Sequence, residues 1–316
     1  MKDKIINSLK AIRHPIRTLR EMMGAMQQPA YAAPATIDFT AEKDVLFLEY
    51  GRRARLQGFD RLYVALSFDC DTPEDIPAAE QVHTWLIKHG MKATYAVPGA
   101  QLSEGAETYR HLLDMGADFI NHGARPHAEW RDGRYWSVTF YNEMSSAEVI
   151  EDIRKGHAIC SNVLGQPPVG FRAPHFGYFQ AKEQRQLMYS VLNDLGYLYS
   201  SSTLPEFGLK NGPVLCEDNI QEIALSGSYL DPFTILDSWN YIVSPTEPVL
   251  KPQYADLFIQ TVDKLLELEV PGILNYYVDP AHVFKGEVFY QAMQHLLDRG
   301  VPTSYFREIL EVARAQ

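Results

Sequence analysis

From residue 60 onward, short β-branched or aromatic runs alternate regularly with longer amphipathic ones, and no other feature constrains the fold so tightly. LYVALSF (62–68), ATYAVP (93–98), DFIN (118–121), VGF (169–171), YLYSS (197–201), IQEIAL (220–225), GILNYYV (272–278) and PTSYF (302–306) read as strands. The intervening patterns predict helices over 77–89, 105–115, 146–164, 180–195, 253–268 and 286–298. The third starts most clearly, with Ser145 and Glu148 at capping-box spacing before Val149, Ile150 and Ile153. Strands separated by helices must pair in parallel, so the expected class is α/β, either a barrel or an open doubly wound sheet. Both deliver their chemistry at the C-terminal ends of the strands. No GxGxxG or GxxxxGK[ST] follows a strand, which excludes those nucleotide cradles. Segments 128–144 and 202–218 show no clear period.

At 316 residues and 46% apolar content the chain can bury one large core. Its net charge of −11 offers no basic footprint for nucleic acid. Cys70, Cys160 and Cys216 are odd in number and form no CxxC, as free thiols in a reducing, cytoplasmic compartment would. There is no run of 18 apolar residues to span a bilayer, and no secretory-type apolar stretch opens the chain. Residues 1–20 instead carry six Lys/Arg against one Asp. Ile5, Leu9, Ile12, Ile16, Leu19 and Met23 form an apolar stripe broken only by Pro15. Residues 1–26 therefore suit peripheral contact with an anionic membrane at its inner face, or packing on the acidic domain or a twin subunit. QQPAYAAPAT (27–36) reads as a linker, giving a basic amphipathic segment and linker over 1–36 and a barrel domain over 37–316.

The ionisable residues cluster at strand ends. The first strand ends in Asp69 and Asp71, the third in His122 and His127, the fourth in Arg172, Pro174 and His175, and the GILNYYV strand in Asp279 and His282. Singly these are ordinary: a D-x-D is commonly a turn, and a loop histidine commonly solvated. Gathered on one face, they suit metal-assisted hydrolysis. One carboxylate and two neutral imidazoles hold Zn²⁺ or a similar ion with positions left open. A second carboxylate can take a proton from water, and an imidazole opposite can give one to a leaving amine. The five-residue step from His122 to His127 contains Pro126, so the pair lies on a loop, outside helical i,i+4 geometry. If both bind one ion, residues 123–126 must bulge and return His127 to it.

The order SFDCD, NHGARPH, EVIEDIRKGHAICSNVLGQPPVGFRAPHFGY, GYLYSSSTLP and YYVDPAHV resembles the polysaccharide deacetylases of carbohydrate esterase family 4, over about residues 60–306. Its most specific part is IRKGHAICSNVLGQPPVGFRAP. The resemblance implies a distorted (β/α)7 barrel, a divalent metal with Zn²⁺ expected, and removal of acetyl groups from sugars. It implies Asp69 as base, Asp71, His122 and His127 as metal ligands, Arg172 pairing with the base, and Pro174 shaping the site wall, with His175 beside it. Between the aspartates, Cys70 is expected to point away from the metal. Three departures stand out: the five-residue histidine step, Ser200 in place of an aspartate, and Asp279 where the acid histidine normally precedes a proline. His282 is expected to act as acid because an ordinary imidazole donates at neutral pH more readily than an ordinary aspartate, with a protonated Asp279 as the other option. Trp130, Tyr135, Trp136, Phe140 and Tyr141 form either a sugar-stacking lid, with Trp130 and Trp136 as platforms, or a loop pinned by buried aromatics.

The expected function is deacetylation of an N-acetylated sugar in glycan or lipid-linked glycan precursor metabolism, at the cytoplasmic side of a membrane. A hydrolase of small non-sugar amides or imides, and a catalytically weakened barrel that binds glycan, are the alternatives.

Overall fold

The computed structural model describes residues 43–314, so the basic segment and linker lie outside the described residues. Helix α1 (Lys43–Leu56) leads into β1 (Leu62–Asp69). Then follow α2 (Asp75–Lys88), β2 (Thr94–Val97), α3 (Gly99–Glu104), α4 (Ala106–Asp114), β3 (Asp118–Asn121), β4 (Ala128–Arg131), β5 (Arg134–Ser137) and α5 (Ser146–Leu164). The chain continues through β6 (Gly170–Phe171), α6 (Lys182–Asp194), β7 (Tyr199–Ser200), α7 (Pro205–Asn211), β8 (Leu215–Glu217) and β9 (Ile220–Glu222). It ends with β10 (Ile242–Ser244), β11 (Glu247–Leu250), α8 (Pro252–Glu267), β12 (Gly272–Val278), α9 (Pro280–Val283), α10 (Val288–Asp298) and α11 (Phe306–Arg314).

Eight strands form one curled sheet in the order β12-β1-β2-β3-β6-β7-β9-β8. The first seven are parallel, and β8 returns antiparallel on β9. This is the expected distorted barrel, with an added edge strand. No ladder joins β12 to β9. Instead Ser226 N donates to Asn275 O at 2.9 Å, and Asn275 Nδ2 donates to the carbonyls of Ile223 and Ala224 at 3.0 and 3.1 Å. Asn275 thus bridges the seam with its backbone carbonyl and its buried side-chain amide.

Side-chain alternation then sorts the strands into two faces. On β1, Val64, Leu66 and Phe68, with Cys70 just beyond, join the core between sheet and helices, while Ala65 belongs to a second core inside the barrel. On β12, Leu274, Tyr276 and Val278 face the helices and Ile273 faces inward. Both strands are covered on both sides, which is why they read as continuous apolar runs. Phe306, Ile309 and Leu310 of α11 join the inner core. Each fully buried side chain of this size contributes about 1.5–3 kcal/mol. The parity that puts Ala65 and Ile273 inside also aims Asp69 and Asp279 inward, and it sends Cys70 the other way.

Helix α5 matches its expected span. Glu148 N donates to Ser145 Oγ, Ser145 N donates to Glu148 Oε2, and Gly165 at φ +71° ends the helix. The helix expected over 105–115 is found as α4, and a further short helix, α3, precedes it across Gly105, where a Cβ would lie within 3.0 Å of Ile76 and Tyr109. Other expectations need correction. PTSYF is not a strand: Thr303 makes one parallel bridge to Val64, and Phe306 already begins α11. Segment 128–144 holds the β4–β5 hairpin, and 202–218 holds α7 and β8. No helix among the described residues is long and apolar enough to cross a membrane.

Candidate metal centre

At the C-terminal ends of the parallel strands, Asp71, His122 and His127 each bring one ligand atom within 4.8 Å of the others. His127 Nδ1 lies 3.1 Å from Asp71 Oδ1, and His122 Nε2 lies 3.7 Å from the same oxygen. The two imidazoles stand 4.3 Å apart between centroids, so the 123–126 loop does return His127 to its partner. His122 Nδ1 faces Arg172 O at 2.8 Å. A carbonyl only accepts, so Nδ1 carries the proton and Nε2 presents its lone pair toward the carboxylates. Burial holds the His122 imidazole well below its usual range, in the neutral form a metal ligand needs. His127 Nε2 is buried with no hydrogen-bond partner among the described residues. One carboxylate and two imidazoles, poised and partly unsatisfied, fit a divalent ion such as Zn²⁺.

Asp69 stands beside this group, with Oδ2 3.6 Å from His122 Nε2. Arg172, wholly buried at the end of β6, donates from Nη1 to Asp69 Oδ1 at 2.5 Å, from Nε to Ser201 O at 3.2 Å and from Nη2 to Ser201 Oγ at 3.1 Å. Burial pushes the Asp69 carboxyl up to about 6, with Arg172 pulling against it. For Asp71, burial also acts upward, but the charge and hydrogen bond of His127, with His122 and His175, hold it below the usual carboxylate range. Ser200, at the family's aspartate position, donates to Ser202 Oγ at 2.8 Å. A carboxylate from the neighbouring strand serves this loop, as Glu222 accepts from Ser202 N, Thr203 N and Thr203 Oγ1 at 2.8–3.0 Å.

On the opposite side, Asp279 and His282 are both buried, with His282 Nδ1 3.9 Å from Asp279 Oδ2. Ser238 ties them together: its Oγ lies 2.9 Å from His282 Nδ1 and accepts from Asp279 N at 3.0 Å. Burial drives the His282 imidazole down to about 3, and burial together with the carboxylates of Asp75, Asp71, Asp69 and Asp237 drives Asp279 well up. Burial thus acts on the two groups in opposite senses, holding the imidazole toward its neutral form and raising the carboxyl. Sequence reading did not single out Asp237 or Ser238, since they lie on a loop with no strand pattern ahead of them. Asp237 is fully buried, accepts from Asn240 N at 2.8 Å and from Tyr277 Oη at 3.3 Å, and is pushed up to about 7 by burial.

The wall differs in part from expectation. Pro174 is buried at the site. His175 adopts a left-handed backbone at φ +53°, stacks on Phe140, and shares a 2.6 Å hydrogen bond with Val138 O. It fastens the hairpin's return strand beside His127 and does not stand free for substrate. Phe140 and Tyr141 pin the loop likewise, Tyr141 being buried with its hydroxyl on Asp152. Trp136 has the Arg134 guanidinium over its ring at 3.7 Å and gives its indole N–H to Arg131 O. Trp130 is 58% exposed and edge-on to Tyr135, and Tyr135 Oη donates to Glu74 in the loop after β1. Phe140 and Tyr141 thus follow the pinned-loop expectation, while Trp130 is left open to solvent.

Fold and site together define a class: a distorted α/β barrel of the deacetylase type, with an Asp-His-His set able to hold a divalent metal. Residues 57–199 match the family model described as Polysaccharide deacetylase. Among solved structures, a Mycobacterium smegmatis protein assigned as a polysaccharide deacetylase is 17% identical at TM-score 0.62, covering 82% of this chain and 92% of that one. The allantoinase PuuE is 12% identical at TM-score 0.57, covering 81% and 91%. A family 4 carbohydrate esterase of Streptomyces lividans is 15% identical at TM-score 0.48, covering 77% and 91%. No curated protein sequence matches the chain significantly.

Proposed function

We propose that this protein is a metal-dependent hydrolase that removes the acetyl group from an N-acetylated sugar of a glycan or a lipid-linked glycan precursor. The observation that carries the reading is the Asp71-His122-His127 set, its two imidazoles buried, beside the Arg172-paired Asp69. A divalent ion, Zn²⁺ being the best fit to the donors, would be held by Asp71, His122 and His127, and when bound would polarise the acetyl carbonyl and acidify the attacking water. Asp69, ionised at neutral pH, accepts the water's proton, and Arg172 fixes its orientation. Asp279, in its protonated form, gives a proton to the departing amine, and Ser238 and His282 hold it in place. Trp130 offers an apolar face to a sugar ring.

The test is acetate release from a panel of N-acetylated sugars and oligosaccharides by Zn²⁺-loaded protein, with and without chelator. Chelator-sensitive release supports the reading, and none from any acetylated sugar contradicts it. The D-x-D arrangement of Asp69 and Asp71 supports a second reading, hydrolysis of small cyclic or linear amides. Ureides and imides therefore belong in the same panel, and activity on them alone would favour that reading. Residues 1–26 would bring the enzyme to an anionic membrane at the cytoplasmic face. Sedimentation with anionic vesicles that survives deletion of this segment would contradict that placement.

A further inference from the structure

The two histidines are held together by a loop one residue longer than the family's usual step, and the structure shows what shapes it. From one side, Gly99 N and Ala100 N at the start of α3 donate to the carbonyls of Gly123 and Ala124 at 2.9 and 3.0 Å. From the other side α5 presses in. Gly156 makes this approach possible, because a Cβ there would lie 2.3 Å from Asn121 Oδ1 and 2.7 Å from the Gly123 carbonyl. One helical turn earlier on the same face stands Asp152, 2% exposed. Its Oδ1 accepts from Arg125 N at 3.0 Å, in the middle of the inter-histidine loop. Its Oδ2 accepts from Tyr141 Oη at 2.8 Å, where the chain returns from the β4–β5 hairpin. Gly123, at φ +78°, leaves room for the carboxylate, since a Cβ there would fall 2.4 Å from Asp152 Oδ2.

We propose that Asp152 is a positioning residue for the metal centre: from α5 it clamps both chain segments flanking His127 and so sets the return that brings His127 onto Asp71 and His122. The proposal rests on the metal reading above and concerns a residue outside the ligand set. Asp152 touches no ligand side chain. It acts through the backbone of Arg125, two residues before His127, and through Tyr141, beyond the hairpin that His127 leads into. Releasing one clamp leaves His127 free to drift, and drift of a ligand loosens the ion before it unfolds the barrel. Partners of this outer kind typically account for 10- to 100-fold in metal affinity.

The test is Zn²⁺ affinity, by competition with a chromophoric chelator, for wild type, Asp152→Ala, Asp152→Asn and Tyr141→Phe, alongside the urea midpoint of each metal-free protein. Asp152→Ala should bind about 10- to 100-fold more weakly. Asp152→Asn, which can still accept from Arg125 N and meet Tyr141, should restore affinity to within about 3-fold of wild type. Tyr141→Phe should fall between them. Alanine binding as tightly as wild type, or asparagine binding as weakly as alanine, overturns the proposal. Should the alanine variant fail to fold, Tyr141→Phe decides, since unchanged affinity there overturns it. A wild type that takes up no Zn²⁺ fails the metal reading itself, which is a separate result.

Discussion

Replacing Arg172 by methionine isolates the electrostatic core of the site. Methionine keeps most of the side chain's length, so the cavity contribution is small and the loss is that of the guanidinium. Arg172 makes three hydrogen bonds, one to Asp69 and two to Ser201, and is itself fully buried. Charge-assisted bonds are worth about 1.5–3 kcal/mol each, but their sum overstates the cost, because Asp69 can relieve its isolation by taking a proton. Breaking a buried pair from one side typically costs about 3–5 kcal/mol, and that is the predicted destabilisation of metal-free protein at pH 7.5. The sign of the pH dependence follows. Asp69 already titrates near 6, above the ordinary 3.8, and loss of Arg172 raises it further, so the folded variant gains protons as pH falls. The deficit should therefore narrow toward pH 5. Adding Asp69→Asn removes the stranded charge and should recover about 2 kcal/mol. Urea unfolding of the chelated proteins at both pH values measures all of this. A single variant within about 1 kcal/mol of wild type, or a double variant no more stable than the single, would refute the reasoning.

Three further outcomes follow from the same structure. Asp279→Asn should lower kcat by about 10²- to 10⁴-fold while His282→Gln keeps most of it, and the reverse ranking would return the acid role to the imidazole. Trp130→Ala should raise KM for an acetylated oligosaccharide by about 2- to 12-fold with kcat little changed, whereas an unchanged KM would remove it from the binding surface. His83 is buried against Tyr95, and burial lowers it to about 4, so the unfolded chain binds more protons between pH 4 and 6.5. The stability it contributes above pH 6.5 is thus lost as pH falls toward 4, and His83→Phe should flatten wild-type acid destabilisation across that window by up to about 3 kcal/mol. Equal slopes in the two proteins would contradict this.

The legible parts of the sequence were those whose cause is local. Helix α5 carries its own capping box and terminal glycine, and β1 and β12 declare burial on both faces by unbroken apolar runs. Alternation along β1 was enough to separate Cys70 from its neighbouring aspartates. The β4–β5 hairpin has a local cause too, since Asp132-Gly133, at φ +53° and +79°, is a strong two-residue turn signal. Other features were not legible because their causes are distant. The five-residue return depends on Asp152 and Gly156, and the opposite shifts of Asp279 and His282 depend on burial and, for Asp279, on carboxylates from the 69–75 stretch and from Asp237. Ordinary pKa values do not carry over to that pair, because both groups are buried. PTSYF failed as a strand for a similar reason, its β-forming composition being overridden by Phe306 starting the helix that packs into the inner core.

The claim on which everything else rests is that Asp71, His122 and His127 together hold one divalent ion. Elemental analysis after equilibration with Zn²⁺ and gel filtration tests it directly, on wild type and on Asp71→Ala, His122→Ala and His127→Ala. About one ion per chain is predicted for wild type, and close to none for each variant that keeps its far-ultraviolet dichroism. Variants that carry as much metal as wild type, or a wild type that carries none, would contradict the account.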